Sequence, residues 1–415
     1  MEHDVSDELA SGAIDMRVRV CDDDASIAED WVAAIKAVVP AQFDVDRMAA
    51  AKDDVSNLLR RKLAVEDGAD PLGTATGFDG IDILVVDYDL LHLDDAGSRT
   101  TGEGVARLAR SLSTCGAIVV MNQYKGPQFD LGMRGHLDSF AEVNIEASLV
   151  GKPALWQAIK PGASEFNPTT WTPMPALLEA GRGLASKFAS EGLDFPIMPL
   201  LGLDAGALAE LSDTAFGFVS PKAQTAEELA VVTLREFVGY SLDADFASHL
   251  SETAANIVYA FAAFRLVKWL DRAVLRPMDV LVDAAHLLDR LPFMIDPDKA
   301  DPSDSSSWAK AIGSPQDSLR WDLLEKYHNP LASSALGKPV FDWFRLAEDD
   351  LVDEMQDKYL EGQPSRFFLA EDTSRFVEKG ALTRFRADFH NFGDRRGIEK
   401  IDGISYGPLR RIRFG

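Results

Sequence analysis

Two kinds of hydrophobic pattern divide the chain. Up to about residue 160, short apolar runs alternate with stretches in which apolar residues recur every three or four positions, the spacing that puts them on one helix face. Residues 16–21 (MRVRVC) predict a strand, 25–39 (ASIAEDWVAAIKAVV) a helix, 43–48 (FDVDRM) a second strand and 53–66 (DDVSNLLRRKLAVE) a second helix. Within 81–90 (IDILVVDYDL), positions 83–86 are apolar in succession, as in a parallel strand buried on both faces. Residues 102–112 (GEGVARLARSL) suit a helix, 117–122 (AIVVMN) a fourth strand and 146–150 (EASLV) a short fifth. Five strands separated by helices predict an α/β fold with a doubly wound, five-stranded parallel sheet, whose functional groups gather at the carboxyl ends of the strands.

The pattern changes after residues 161–175 (PGASEFNPTTWTPMP), where Pro, Thr and Asn mark a boundary. Beyond it helical spacing dominates, in 175–192, 205–218, 225–242, 250–275 and 277–291; Pro277 opens the last, where a missing N–H costs nothing. Residues 296–315 (DPDKADPSDSSSWAKAIGSP) are polar and predict a second linker or exposed loop, after which aromatic-rich pieces run to the C-terminus. The division expected is a first domain over 16–160, a helical domain over 176–295 and a mixed, aromatic-rich domain over 316–415.

Charge narrows the function classes. Lys and Arg number 42 and Asp and Glu 67 among 415 residues, a formal net charge of −25 that repels nucleic-acid phosphates and anionic lipid alike. No helix-turn-helix pattern accompanies it, so specific DNA binding is not expected. Only residues 366–415 are locally basic, 11 basic against 7 acidic, a tail suited to docking on a partner or on the rest of the chain. The apolar stretch 254–270 is interrupted by Arg265 and Lys268, whereas a membrane span needs about 20 apolar residues, so it reads as a buried helix. The first fifteen residues are acidic and polar, unlike a signal peptide, and Cys21 and Cys115 read as reduced, apolar cysteines. A cytoplasmic protein without a membrane partner is the expectation.

Candidate chemistry lies at the strand ends. Asp22, Asp23 and Asp24 follow the first strand, and Asp87 and Asp89 close the third. In a sheet of order 2-1-3-4-5 these strands are neighbours, so the acids converge. Like charges held close raise one another's pKa unless a cation neutralises them, and Mg2+ with oxygen ligands is the natural choice. Lys152, in VGKP after the expected fifth strand, adds a positive charge. A carboxylate, a divalent ion and an ammonium group together suit a phosphoryl group, whose oxygens need several positive partners during transfer. The plainer reading of the acid triplet is a helix N-cap.

VCDDDASI, ILVVDYDL and SLVGKP resemble the three signature segments of the receiver domain of bacterial two-component response regulators, over roughly residues 16–160. The resemblance implies a flavodoxin-like fold, a cytoplasmic signalling role, a histidine kinase or phosphotransfer protein as phosphoryl donor, and a protein partner for the output. It assigns direct Mg2+ binding to Asp23, a water-mediated role to Asp22, phosphoacceptance to Asp87, a metal-binding main-chain carbonyl to Asp89 and a phosphate contact to Lys152. Pro153 matches a proline that usually follows a cis bond. The switch hydroxyl of the family falls on Asn122, the small residue after it on Gln123 and the aromatic switch on Leu149, and extra residues separate the motifs. The acids are thus kept while the switching residues differ.

Rival readings are a degenerate receiver serving as adaptor or scaffold without phosphorylation, and a receiver that regulates an enzyme of another type. Residues 176–415 show no catalytic constellation in sequence, and the histidines, including His286, lack metal-ligand spacing and suit surface or core positions.

Overall fold

The computed structural model describes residues 16–90, 100–122, 137–159, 165–361, 367–385, 396–404 and 406. Five strands, β1 (Met16–Cys21), β2 (Phe43–Arg47), β3 (Ile83–Asp87), β4 (Ala117–Asn122) and β5 (Val143–Glu146), form one parallel sheet in the order β2-β1-β3-β4-β5. This is the doubly wound topology the sequence predicts, and a long, mostly helical region follows it. All five residues of β3 are buried, as their uninterrupted hydrophobicity requires of a central parallel strand.

Helices α1 (Ala25–Lys36), α2 (Ala51–Glu66) and α3 (Gly102–Leu112) follow β1, β2 and β3. Asp24 caps α1 by accepting the N–H groups of Ser26 and Ile27 at 2.8 and 3.3 Å, and Ala28, Val32 and Ile35 form its buried stripe. The helix ends at Lys36 rather than residue 39, since Pro40 disfavours helical backbone before it and the N–H groups of Val38 and Val39 both return to Ile35. Thr101 caps α3, and a Cβ at Gly102 would overlap the Asp87 carbonyl oxygen, so only glycine lets α3 start against the end of β3.

The fifth strand differs from expectation. It runs over Val143–Glu146, three residues earlier than 146–150, with Val143 and Ile145 buried and Asn144 and Glu146 half-buried, the two-residue alternation of a strand. Ala147–Leu149 tighten into a 3-10 turn from which Leu149 and Val150 still reach the core, so their hydrophobicity imitated a strand. The short helix α4 (Pro153–Trp156) follows.

The helical region covers the amino-terminal edge of the sheet. In α5 (Met174–Glu191), Arg182 pairs with Asp82 before β3, and Leu178 packs on Gly116 before β4. In α6 (Ala255–Trp269), Arg265 donates to the carbonyls of Leu137 and Ser139, and Lys268 to those of Ser139 and Ala141, at 2.7–2.9 Å, all before β5. Arg110 and Glu142 form a buried ion pair at 2.5 Å between them, and Glu142 also accepts the Ile118 N–H. No helix among the described residues is long and apolar enough to cross a membrane.

Further along, β6 (Leu281–Asp283) pairs antiparallel with β7 (Val340–Asp342). Strands β8 (Phe367–Ala370), β9 (Arg375–Glu378), β10 (Thr383–Phe385) and β11 (Arg396–Ile398) form a sheet of order β10-β11-β8-β9. The stretch expected as an exposed loop, 296–315, instead contains a helix, Ser305–Gly313, whose Trp308 is only 2% exposed and lies 5.8 and 5.1 Å from the rings of Phe367 and Phe376. Its Ser and Asp residues cap and face solvent while Trp308, Ala309 and Ala311 supply the core, a split that average polarity conceals.

Candidate functional site at the carboxyl edge of the sheet

Parallel pairing fixes the relative heights of the strand ends. Cys21 is level with Val86, so Asp22, the next residue, lies beside Asp87. Asp22 is 9% exposed and Asp87 1%. One oxygen of Asp22 accepts the Asp24 N–H at 2.8 Å, and the other, Oδ2, is buried with no hydrogen-bond donor on it among the described residues. Burial pushes the Asp22 carboxyl up, the Asp24 N–H partly offsets this, and the neighbouring Asp87 and Asp23 push it further, to about 7.

Asp23 is half-buried beside this pair, while the Asp24 side chain is spent on the helix cap, as the N-cap reading of the acid triplet expects for one of its members. The Asp89 N–H donates to Asp87 Oδ2 at 3.3 Å, and Asp89 bridges to Thr101 at the start of α3. Asn122 is exposed at the end of β4, one step beyond Met121, which is paired with Asp87. Gln123, the position after the switch residue, lies outside the described residues.

Lys152 occupies the N-cap position of α4, with five residues between it and the end of β5, and the adjoining Gly151 lies against Ala34. The described chain contains no cis peptide bond, so the bond before Pro153 is trans. The place at the end of β5, paired with Asn122, belongs to Glu146, which the sequence reading had put at the beginning of that strand. The alternation of Val143 and Ile145 with Asn144 and Glu146 is the signal that locates it.

Among the described residues no three Asp, Glu, His or Cys side chains are grouped as a metal cluster. A smaller donor set is present: the carboxylates of Asp22 and Asp87, with Asp23 and the main chain at Asp89 nearby. That set fits a hard, oxygen-seeking cation that keeps most of its waters, since the buried Asp22 Oδ2 is an acceptor in want of a positive partner.

A second charged group lies in the C-terminal part. His286 is buried, with Nδ1 2.7 Å from Asp283 and Nε2 3.2 Å from Glu371, and Lys338 approaches Asp283 at 3.2 Å. Burial opposes protonation of the ring, but Asp283 and Glu371 outweigh it and raise the imidazole to about 9. Thr169, on the segment leaving the sheet, donates to Glu371 at 2.5 Å, so this group ties that segment to β8.

Comparison with protein-family models, curated proteins and solved structures finds no match to this chain.

Proposed function

We propose that residues 16–160 act as a receiver-type signalling module that binds Mg2+ in its acidic pocket and accepts a phosphoryl group on Asp87, with the C-terminal region passing the response to a protein partner. The observation that supports this best is the juxtaposition of Asp22 and Asp87, both buried, at the carboxyl edge of a 2-1-3-4-5 sheet, the edge where open α/β sheets bind ligands. Asp22, Asp23 and Asp87 with the Asp89 carbonyl are the groups that would hold the ion, which when bound neutralises charge on the phosphoryl oxygens.

In the transfer step a carboxylate oxygen of Asp87 attacks phosphorus and forms the new P–O bond. The bond from phosphorus to the donor breaks, to nitrogen in a phosphohistidine protein or to oxygen in a small acyl phosphate. The donor atom leaves with the electron pair; a phosphohistidine nitrogen takes up a proton, and a small acyl phosphate leaves as its carboxylate. Asn122 carries an amide that can donate to a phosphoryl oxygen where the family has a hydroxyl.

A second reading, a module that keeps the acids but works as an adaptor without phosphorylation, is favoured by Asn122 and Leu149 standing where the family has its switch hydroxyl and switch aromatic. Calorimetric titration with Mg2+, followed by treatment with a small phosphoryl donor and peptide mass analysis, separates the two. The proposal expects saturable Mg2+ binding that Asp87→Ala abolishes and a single acyl phosphate on Asp87. Binding without modification selects the adaptor reading, and unchanged binding in Asp87→Ala rejects the pocket altogether.

A further inference from the structure

We propose that the cleft between α2, α3 and the helix Ala244–Thr253 is a self-association surface, whose occupant is a second copy of this chain related by a twofold axis. The cleft has a volume of about 810 Å³. Each helix turns one face to it: Leu59 and Lys62 from α2, Arg107 and Leu108 from α3, and Asp245 and Phe246 from the third helix. Leu59 is 47% exposed, and Leu63, one turn further along α2, is 59% exposed. Two such leucines on one helix face beside a cleft form a patch, unlike the single apolar side chains scattered over an ordinary surface.

Charge selects the occupant. The wall formed by α2 and α3 carries Lys62, Arg107 and Glu66, and the opposite wall carries Asp243, Asp245 and the half-buried His249, so with a neutral imidazole the two walls have net charges of opposite sign. Lys62 lies 3.6 Å from Glu66, Arg107 stacks on Phe140 at 5.2 Å, and Asp243 caps its own helix. A twofold axis running along the cleft exchanges its walls. Each copy's basic wall then faces the other's acidic wall, which makes one patch complementary to itself. The same rotation lays α2 of one copy over the third helix of the other and brings Leu59 and Leu63 toward Phe246. A net charge of −25 repels a second copy at long range, but screening confines that repulsion to about 8 Å at physiological salt, so the facing walls decide.

The test follows the mass of the full chain by sedimentation velocity and light scattering, from about 1 to about 100 µM, a range that resolves a dissociation constant near 1 µM. Wild type is expected to pass from one copy to two. Leu59→Glu with Leu63→Glu is expected to raise the dissociation constant at least about a hundredfold, since burying a leucine is worth about tenfold or more and the axis counts each loss twice. Lys62→Glu is expected to weaken pairing about tenfold, and Asp245→Lys in the same chain to restore it, because the acid then faces a base again. Leu59, Leu63, Lys62 and Asp245 are all exposed, so the variants should fold, which circular dichroism checks. A wild type that remains one copy at about 100 µM overturns the inference and leaves the cleft to another occupant. A dimer that persists in the folded double glutamate variant places the contact on another face and overturns it equally. If that variant does not fold, Lys62→Glu and its reversal decide, and an unchanged dissociation constant in both overturns the inference.

Discussion

The two edges of the sheet handle charge in opposite ways. At the amino-terminal edge the charged groups are cations matched inside the fold: Arg110 meets Glu142 and the Cys115 carbonyl, and Arg265 and Lys268 meet carbonyls of residues 137–141. Lys268 is fully buried, and burial, then Arg265 and Arg272, depress its pKa well below the ordinary range. At the carboxyl edge, among the described residues, Asp22 and Asp87 lie side by side, and burial and then the neighbouring Asp87 and Asp23 raise Asp22 to about 7. An edge whose charges are matched internally behaves as a joint, whereas adjacent buried acids raise one another's pKa and are the arrangement that a bound cation would relieve.

The largest effect separating the edges should come from Arg110→Ala. It leaves Glu142 buried without its guanidinium partner and removes the stacking on Phe264 at 4.2 Å, so a loss of about 3–5 kcal/mol in unfolding free energy is expected from denaturant melts. A loss under about 1 kcal/mol would show that the amino-terminal edge is not the joint described.

Next in size is a pH effect at the third charged group, which tests whether matched charge extends into the C-terminal part. The folded pKa of His286 lies above its unfolded value of about 6.5. Its stabilisation is therefore fully present below about pH 6.5 and is lost as pH rises through about 9. The stability difference between wild type and His286→Gln should shrink by on the order of 2 kcal/mol over that window, read by melts at fixed ionic strength. A constant difference would mean that the ring is held neutral between the two acids.

The smallest effect has the opposite sign. Asp87→Asn removes one of two adjacent buried acids, so without divalent ions it should raise stability by up to about 1 kcal/mol. With Mg2+ saturating, the wild type should gain relative to the variant, since an ion that binds only the folded state stabilises it. Destabilisation by Asp87→Asn in the ion-free protein would contradict the picture of a strained edge.

Much of the sheet was legible because its elements carry local signals. The run Ile83–Val86, the stripe Ala28, Val32, Ile35 and the acids after β1 and β3 each state their role within a few residues. The acid pair was legible too, since strand order alone makes β1 and β3 neighbours. The fifth strand and its terminal residue were not. Four residues give little periodicity, and a following apolar turn competes for the assignment, so VGKP drew attention from Glu146. Trp308 shows the same difficulty, one large side chain burying a helix that its neighbours disguise as a loop.

The sequence by itself determined the alternation of strand and helix, the dominance of acid over base and the presence of carboxylates after two strands, because periodicity, net charge and motif spacing are properties of neighbouring residues. Only the tertiary structure decided that Glu146 ends β5 level with Asn122, and that Arg265 and Lys268, which interrupt an apolar helix in the sequence, anchor it to the carbonyls before β5. Those outcomes depend on register and on partners more than a hundred residues away. A buried charge takes its meaning from the group placed opposite it, and no local pattern names that group.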